Sequence, residues 1–122
     1  MMILDSNIII YSAIPENENL RDFISVNSPF ASEVSRVEVL GYHKLTAQQK
    51  EFFESLFEST SMLPISDEVL VKAIEMRQSK KMSLGDSIIA ATALVNNLRL
   101  ITANTKDFKW IAELTLVNPL EN

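Results

Sequence analysis

Short apolar segments alternate along this 122-residue chain with longer segments in which apolar residues recur at helical spacing. The short segments have the length of strands and lie at residues 1–4, 29–31, 62–65, 99–102 and 114–117. Consecutive parallel strands need a long crossover, which a helix supplies, so this alternation favours a parallel sheet with helices on both faces. We therefore predict a single α/β domain over residues 1–122, a three-layer α/β/α sandwich with a mainly parallel central sheet.

Individual segments add detail to this prediction. Pro64 lacks the backbone N–H that an inner strand needs, so the strand at residues 62–65 belongs at a sheet edge. Thr46 and Gln49 have the spacing of a capping box and predict a helix start. The segment at residues 83–97 is apolar nearly all round, which is typical of a buried helix.

Composition limits the chemistry that the chain can perform. It contains no cysteine and one histidine, His43, which excludes a disulfide framework and a thiolate zinc site and argues against an imidazole-based metal site or triad. A bound metal would need oxygen ligands, which favours Mg²⁺ or Mn²⁺. The net charge of −5 argues against binding nucleic acid by bulk electrostatics. The longest apolar runs are too short to cross a bilayer, so we expect a cytoplasmic protein without membrane contact.

Acidic residues follow the predicted strands or open the helices after them. Each has an ordinary structural explanation as a helix cap: Asp5 follows the first strand, and the pairs Ser35–Glu38, Ser83–Asp86 and Asn104–Asp107 have capping-box spacing. Considered singly, each is more simply a cap than a catalyst.

Considered together, the same residues predict a site. In a parallel α/β sheet every strand-to-helix junction lies at one edge, where such folds bind ligands. The helix from Asp86 climbs roughly 16 Å and the following strand returns roughly 13 Å, which brings Asn104 back to the level of Asp86. Several carboxylates in one crevice repel each other unless they share a cation. The sequence therefore predicts a metal site.

Four motifs, ILDSNIII, SRVEVLGY, SLGDSIIAATAL and ITANTKDF, resemble in order and spacing the PIN domain, and within it the small toxins of VapC type. The resemblance covers residues 2–119. It implies a PIN-like fold and an endoribonuclease that depends on Mg²⁺ or Mn²⁺. The acidic core of the family maps onto Asp5, Glu38 and Asp86. The fourth family position falls on Asn104, an amide where the family often has aspartate, and Asp107 one turn later is the alternative fourth metal ligand.

The resemblance also implies supporting residues. Ser6, Asn7 and Thr102 would orient the acids or water, and the metal would activate water for attack on a phosphate. Arg77, Lys80 and Lys81, just before the helix of Asp86, are candidates for contacts with RNA phosphates. They are equally well explained as cations favoured at a helix C-terminus.

Partners follow from the family alone. The resemblance implies an RNA substrate, a homodimer, and a cognate antitoxin protein that covers an apolar groove. The stripe FFESLF with Phe108 and Trp110 would contribute to such surfaces or, for most of its members, to the core. An alternative is a catalytically decayed PIN-like module that binds RNA or protein, which Asn104 supports and the intact trio of acids opposes. A phosphatase domain is disfavoured because no second aspartate stands at Asn7, and a receiver domain because no adjacent pair of acids precedes Asp5.

Overall fold

The computed structural model describes residues 1–121, and its strands all run parallel. The strands in this range are β1 (Met2–Leu4), β2 (Ala31–Ser32), β3 (Met62–Leu63), β4 (Arg99–Ile101) and β5 (Leu116–Val117). Strands β1, β4 and β5 form one sheet, and β2 pairs with β3. Phe30 joins the two, because its N–H donates to the Met2 carbonyl (2.8 Å) and its carbonyl accepts from the Leu4 N–H (2.9 Å).

The resulting strand order is β3-β2-β1-β4-β5. Strand β3, which ends just before Pro64, lies at one edge of the sheet, as the proline predicts. The strands are shorter than expected, and β2 starts at Ala31 rather than at residue 29. Their carboxyl ends nevertheless lie at a common edge, since all pairings are parallel.

Helices cover both faces of the sheet. Within residues 1–121 they are α1 (Ser6–Ser12), α2 (Glu18–Asn27), α3 (Glu33–Leu40), α4 (Ala47–Glu58), α5 (Asp67–Ser79), α6 (Leu84–Val95) and α7 (Thr105–Phe108). Thr46 caps α4 through the predicted capping box with Gln49. None of the helices in this range has the length and apolar character that a membrane-spanning segment requires.

The alternation of side chains along the strands sorts the core into two layers. Ile3 and Leu100 are neighbours in register and pack with α5 and α6, whereas Leu4 and Ile101 pack with α1 to α4. All four side chains are fully buried. The architecture is therefore the predicted three-layer α/β/α sandwich.

Helix α6 lies within the first of these layers. Its residues from Ser87 to Ala93 are buried, which accounts for a sequence that is apolar nearly all round. Ala90 and Ala93 have small side chains that let α6 approach its neighbours closely, and both are fully buried. This packing fixes the position of the first turn of α6, where Asp86 lies.

Candidate functional site

Asp5 directly follows β1 and is 2% exposed. Its N–H donates to the Ile101 carbonyl (2.9 Å), which holds the end of β1 against β4. It occupies the N-cap position of α1, but its side chain makes no capping hydrogen bond. Instead Oδ2 accepts a hydrogen bond from Thr102 Oγ1 (2.8 Å). The explanation of Asp5 as a side-chain cap is therefore wrong, because a tertiary partner binds the carboxylate.

Thr102 links Asp5 to the chain that follows β4. Its hydroxyl donates to Asp5 and accepts from the Asn104 N–H (3.0 Å). Asn104 is the N-cap residue of α7, but its side chain makes no capping bond, so the predicted cap pair Asn104–Asp107 is wrong. Asp107 is exposed in the single turn of α7. The structure thus brings Asn104 beside the Asp5–Thr102 pair.

Glu38 approaches the same edge from α3. This helix begins at Glu33 with Ser32 as its cap, so the predicted capping pair Ser35–Glu38 is wrong. Both members lie one turn apart inside the helix and point towards α1. Ser6 Oγ donates to Glu38 Oε1 (2.7 Å) and is hydrogen-bonded to Ser35 Oγ (2.9 Å). Two buried hydroxyls therefore fix one oxygen of the Glu38 carboxylate.

Asp86 is half-buried in the first turn of α6. Ser83 caps this helix by accepting from the Asp86 N–H (3.1 Å), as the spacing predicts. The Glu38 carboxylate lies against Gly85, the residue before Asp86. Glu38 and Asp86, 48 positions apart in sequence, are therefore neighbours in the fold.

The electrostatics of the two more buried acids reflect this proximity. Burial raises the pKa of Asp5 from its ordinary value of 3.8 to about 6. Hydrogen bonds from Thr102 and from the Ser6 backbone oppose this rise in pKa, while the negative charges of Asp86 and Glu38 add to it. Burial also raises the pKa of Asp86, a hydrogen bond with Ser83 opposes it, and the charges of Asp107 and Glu38 reinforce it. The four acids Asp5, Glu38, Asp86 and Asp107 are therefore linked by electrostatic repulsion.

Within residues 1–121, no basic side chain forms an ion pair with this cluster. The ion pairs formed in the described part of the chain are Arg36–Glu33 and Lys72–Glu75, and neither involves an acid of the site. Repulsion among Asp5, Glu38 and Asp86 is thus left without a cation from the protein itself. A divalent cation is the simplest species to relieve it.

The side chains of the cluster suit Mg²⁺ or Mn²⁺, which keep water ligands, better than they suit a metal ion that needs protein ligands on all sides. Within residues 1–121, no three Asp, Glu or His side chains are already arranged to enclose an ion. Mg²⁺ keeps several water ligands and binds through one or two carboxylates plus substrate phosphates, so it needs no such cage. The ligands available are all oxygens, since cysteine is absent and the only histidine, His43, is exposed beside Tyr42.

Of the predicted basic residues, Arg77 lies in the last turn of α5 and Lys80 and Lys81 follow the helix, and all three are exposed. Lys80 Nζ lies 5.5 Å from the centre of the Trp110 ring, and the Trp110 indole N–H donates to the Asp107 carbonyl (3.1 Å). Arg77 donates to the Met82 carbonyl (3.4 Å). Trp110 therefore connects Lys80, the residue after α5, to the backbone of Asp107.

Two residues of the site escaped the reasoning from sequence. Ser35 has the spacing of a cap but contributes to the hydroxyl pair behind Glu38, and no local signal distinguishes these uses. Gly85 carried a usable signal, because glycine is unfavourable inside a helix and stands here in an alanine-rich one. Asn7, predicted to orient the acids, is half-buried in the first turn of α1.

A family model and a protein of known name both match this chain by sequence. The family model described as PIN domain matches residues 2–114. A protein named ribonuclease VapC from Rickettsia bellii is 38% identical over an alignment of 78 residues, and the match covers 59% of this chain and 56% of that protein. The match therefore spans little more than half the length of this relative.

Solved structures match over nearly the whole chain. A toxin-antitoxin complex from Klebsiella pneumoniae contains a chain that is 26% identical, with a TM-score of 0.79 and complete coverage of both chains. DNA-bound VapBC from Salmonella typhimurium matches with a TM-score of 0.85 at 19% identity, covering 98% of this chain and 99% of that one. The second likeness, at its low identity, concerns the fold alone.

Proposed function

This chain belongs to the PIN domain family, and from that premise we propose that it is an endoribonuclease, the toxin of a toxin-antitoxin pair. The observation that carries the proposal is the acidic edge of the sheet. Three separate elements bring Asp5, Glu38 and Asp86 together there, and no lysine or arginine among the described residues pairs with them. Such a cluster is suited to Mg²⁺ or Mn²⁺ and to chemistry on a phosphodiester.

We assign the oxygen ligands to Asp5, Glu38, Asp86 and Asp107, with Asn104 as a weaker amide donor. When bound, a divalent cation activates water and neutralises charge that develops on the phosphate. The chain's own contribution is to orient the carboxylates: Thr102 holds Asp5, and Ser6 holds Glu38. These hydrogen bonds direct one oxygen of each acid, which leaves the other available to a ligand.

Cleavage of a structured RNA in the presence of Mn²⁺ tests this assignment. Asp86→Asn and Asp5→Asn each replace a carboxylate with a neutral amide, and we expect RNA cleavage to fall at least 100-fold in both variants. Asp22→Asn is the matched control, because Asp22 is an exposed acid of α2 outside the cluster. Cleavage that survives in both site variants refutes the assignment of the ligands.

Metal binding discriminates the nuclease from a decayed module. A ligand that binds only the folded state stabilises it, by about 2.7 kcal/mol at a concentration 100 times its Kd. We expect Mn²⁺ to raise the melting temperature of the wild-type protein and to have little effect on Asp86→Asn. If Mn²⁺ leaves the melting temperature of both proteins unchanged, a decayed module that binds RNA or protein without metal chemistry is favoured.

Substrate contacts are assigned to Arg77, Lys80 and Lys81. Lys80 lies over the Trp110 ring, and the Trp110 indole is hydrogen-bonded to the backbone of Asp107, which supports a role for this lysine beside the site. RNA binding by inactive Asp86→Asn should weaken when Lys80→Ala is added, with a shallower salt dependence. Lys44→Ala, which changes an exposed lysine outside these elements, is the control.

We propose an antitoxin protein as the partner and the groove between α2 and α4 as its docking surface. The groove has a volume of about 450 Å³, and its apolar lining includes Ile24, Phe52 and Leu56. Phe108 is buried, as are Phe53 and Phe57 of the stripe, which is the core packing expected for most of these residues. Co-expression with a small DNA-binding protein encoded beside this chain should yield a complex that Leu56→Arg disrupts.

The homodimer is assigned to an exposed ridge on α5. Leu70, Val71 and Ile74 are 42%, 57% and 56% exposed, although all are large and apolar. The ridge has an acid, Asp67, at its start and a base, Arg77, near its end. A two-fold axis that pairs antiparallel copies would place each Asp67 opposite the other copy's Arg77, and each Leu70 opposite Ile74.

Sedimentation equilibrium tests the dimer. Ile74→Arg should shift the protein towards monomer, whereas Val26→Arg, an 82% exposed position on α2, should not. Because the chain has no cysteine, Leu70→Cys with Ile74→Cys should give a disulfide-linked dimer, and either change alone should not. A wild-type monomer at every concentration contradicts the assignment.

A further inference from the structure

Gly85 is the second residue of α6, and neither of the usual reasons for glycine applies to it. No glycine in the described chain has a positive φ, so its backbone conformation is open to any residue. Glycine in a helix is less favourable than alanine, which α6 uses at three other buried positions. A residue that reduces helix stability without a conformational need indicates that something else requires the space.

The space next to Gly85 is taken by one functional group. A Cβ built at this position would meet three atoms first, and all belong to the Glu38 carboxylate: Oε2 is the nearest, followed by Cδ at 2.7 Å and Oε1 at 2.9 Å. These separations are shorter than the roughly 3.5 Å of a non-bonded contact. Alanine at this position would therefore overlap Glu38.

The same carboxylate is also held by α1. Ser6 donates to Oε1 (2.7 Å), and Ser35 supports Ser6 from within α3 (2.9 Å). Glu38 thus lies between a hydroxyl of α1 and the bare backbone of α6. Glu38 is an exposed residue, so a group that displaced the carboxylate would turn it towards solvent rather than break the core.

We propose that Gly85 is a positioning residue, whose missing side chain admits the Glu38 carboxylate to the acidic cluster beside Asp86. Its consequence for metal binding rests on the proposed function. The proposal implies an unusual combination in one variant: Gly85→Ala improves the helix and impairs the site.

The first experiment measures Mn²⁺ binding and RNA cleavage in Gly85→Ala. Without metal, the melting temperature should stay equal or rise, because alanine favours the helix. The rise in melting temperature on adding Mn²⁺ should shrink, and cleavage should fall at least tenfold. Combining Gly85→Ala with Glu38→Asp should restore part of both, because aspartate is shorter by one methylene, about 1.5 Å. Glu38→Asp alone is the control, because Gly85 leaves no overlap for the shorter side chain to remove.

A second experiment needs neither metal nor activity. The contact predicts that Gly85→Ala raises the melting temperature of metal-free protein more in a Glu38→Ala background than in the wild type. Equal gains in both backgrounds, or a full Mn²⁺ response in Gly85→Ala, overturn the proposal. If wild-type protein neither cleaves RNA nor responds to Mn²⁺ while unequal gains persist, the nuclease assignment fails and the positioning role of Gly85 stands.

Discussion

Replacing Asp5 with asparagine should stabilise the metal-free protein at neutral pH. In the folded protein burial raises the pKa of Asp5 to about 6, against an ordinary value of 3.8. At 1.36 kcal/mol per pKa unit, this difference makes the ionised carboxylate unfavourable by about 3 kcal/mol at pH 7. An asparagine side chain carries no charge and still offers an oxygen to Thr102. We therefore expect Asp5→Asn to increase the free energy of unfolding by up to about 3 kcal/mol.

The sign of the pH dependence follows from proton binding. Between pH 3.8 and about 6 the folded state binds more protons at Asp5 than the unfolded state does. The stability of the wild type therefore rises as pH falls through this range, and the advantage of Asp5→Asn should shrink to less than about 1 kcal/mol near pH 4. Urea unfolding at a series of pH values in a chelating buffer measures both quantities.

Metal should reverse the order of the two proteins. On the proposed function, a divalent cation would neutralise Asp5 in the wild type, whereas Asp5→Asn would offer it no charged ligand at this position. Saturating Mn²⁺ should therefore make the wild type the more stable protein. Glu51→Gln, at an exposed acid of α4, is the control and should change neither curve. The reasoning is refuted if Asp5→Asn is the less stable protein at pH 7 without metal, or if its advantage does not depend on pH.

Three further substitutions test the surrounding structure. Thr102→Val removes the donor to Asp5 and should lower stability by about 1–3 kcal/mol in urea unfolding while raising the pKa of Asp5, which carboxyl NMR can follow. Thr46→Ala abolishes the capping box of α4 and should lower the free energy of unfolding by about 1 kcal/mol with RNA cleavage unchanged. Ile89→Ala opens a cavity in the layer around α6 and should lower the free energy of unfolding by about 2–5 kcal/mol in the same unfolding assay.

Much of the fold could be predicted because its signals are local. Alternating apolar segments give the parallel sandwich, Pro64 indicates the edge strand, and the all-apolar segment gives the buried α6. Strand lengths were less predictable, since the ends of strands depend on which neighbours pair with them. Residue 30 illustrates this, because its backbone joins β1 to the β2–β3 pair although it lies outside both strands.

The acids of the site were predictable, but their local explanation was often wrong. The structure supports a side-chain cap at Ser83, whereas Asp5 and Asn104 make none and Ser35 lies inside a helix. The capping spacing predicts only that a hydroxyl or carboxylate lies near the start of a helix. It does not indicate whether a tertiary donor such as Thr102 binds the same oxygen.

The sequence by itself determined which residues reach one edge of the sheet, because parallel strands joined by helices bring every such junction to the same side. Only the tertiary structure decided how they meet there. The bond from Thr102 to Asp5 spans 97 positions, the Ser6–Glu38 bond spans 32, and the fit of Glu38 against Gly85 joins α3 to α6. Such contacts are made or lost when the separation of two distant segments changes by a few tenths of an ångström. That separation is set by packing rather than by any local pattern.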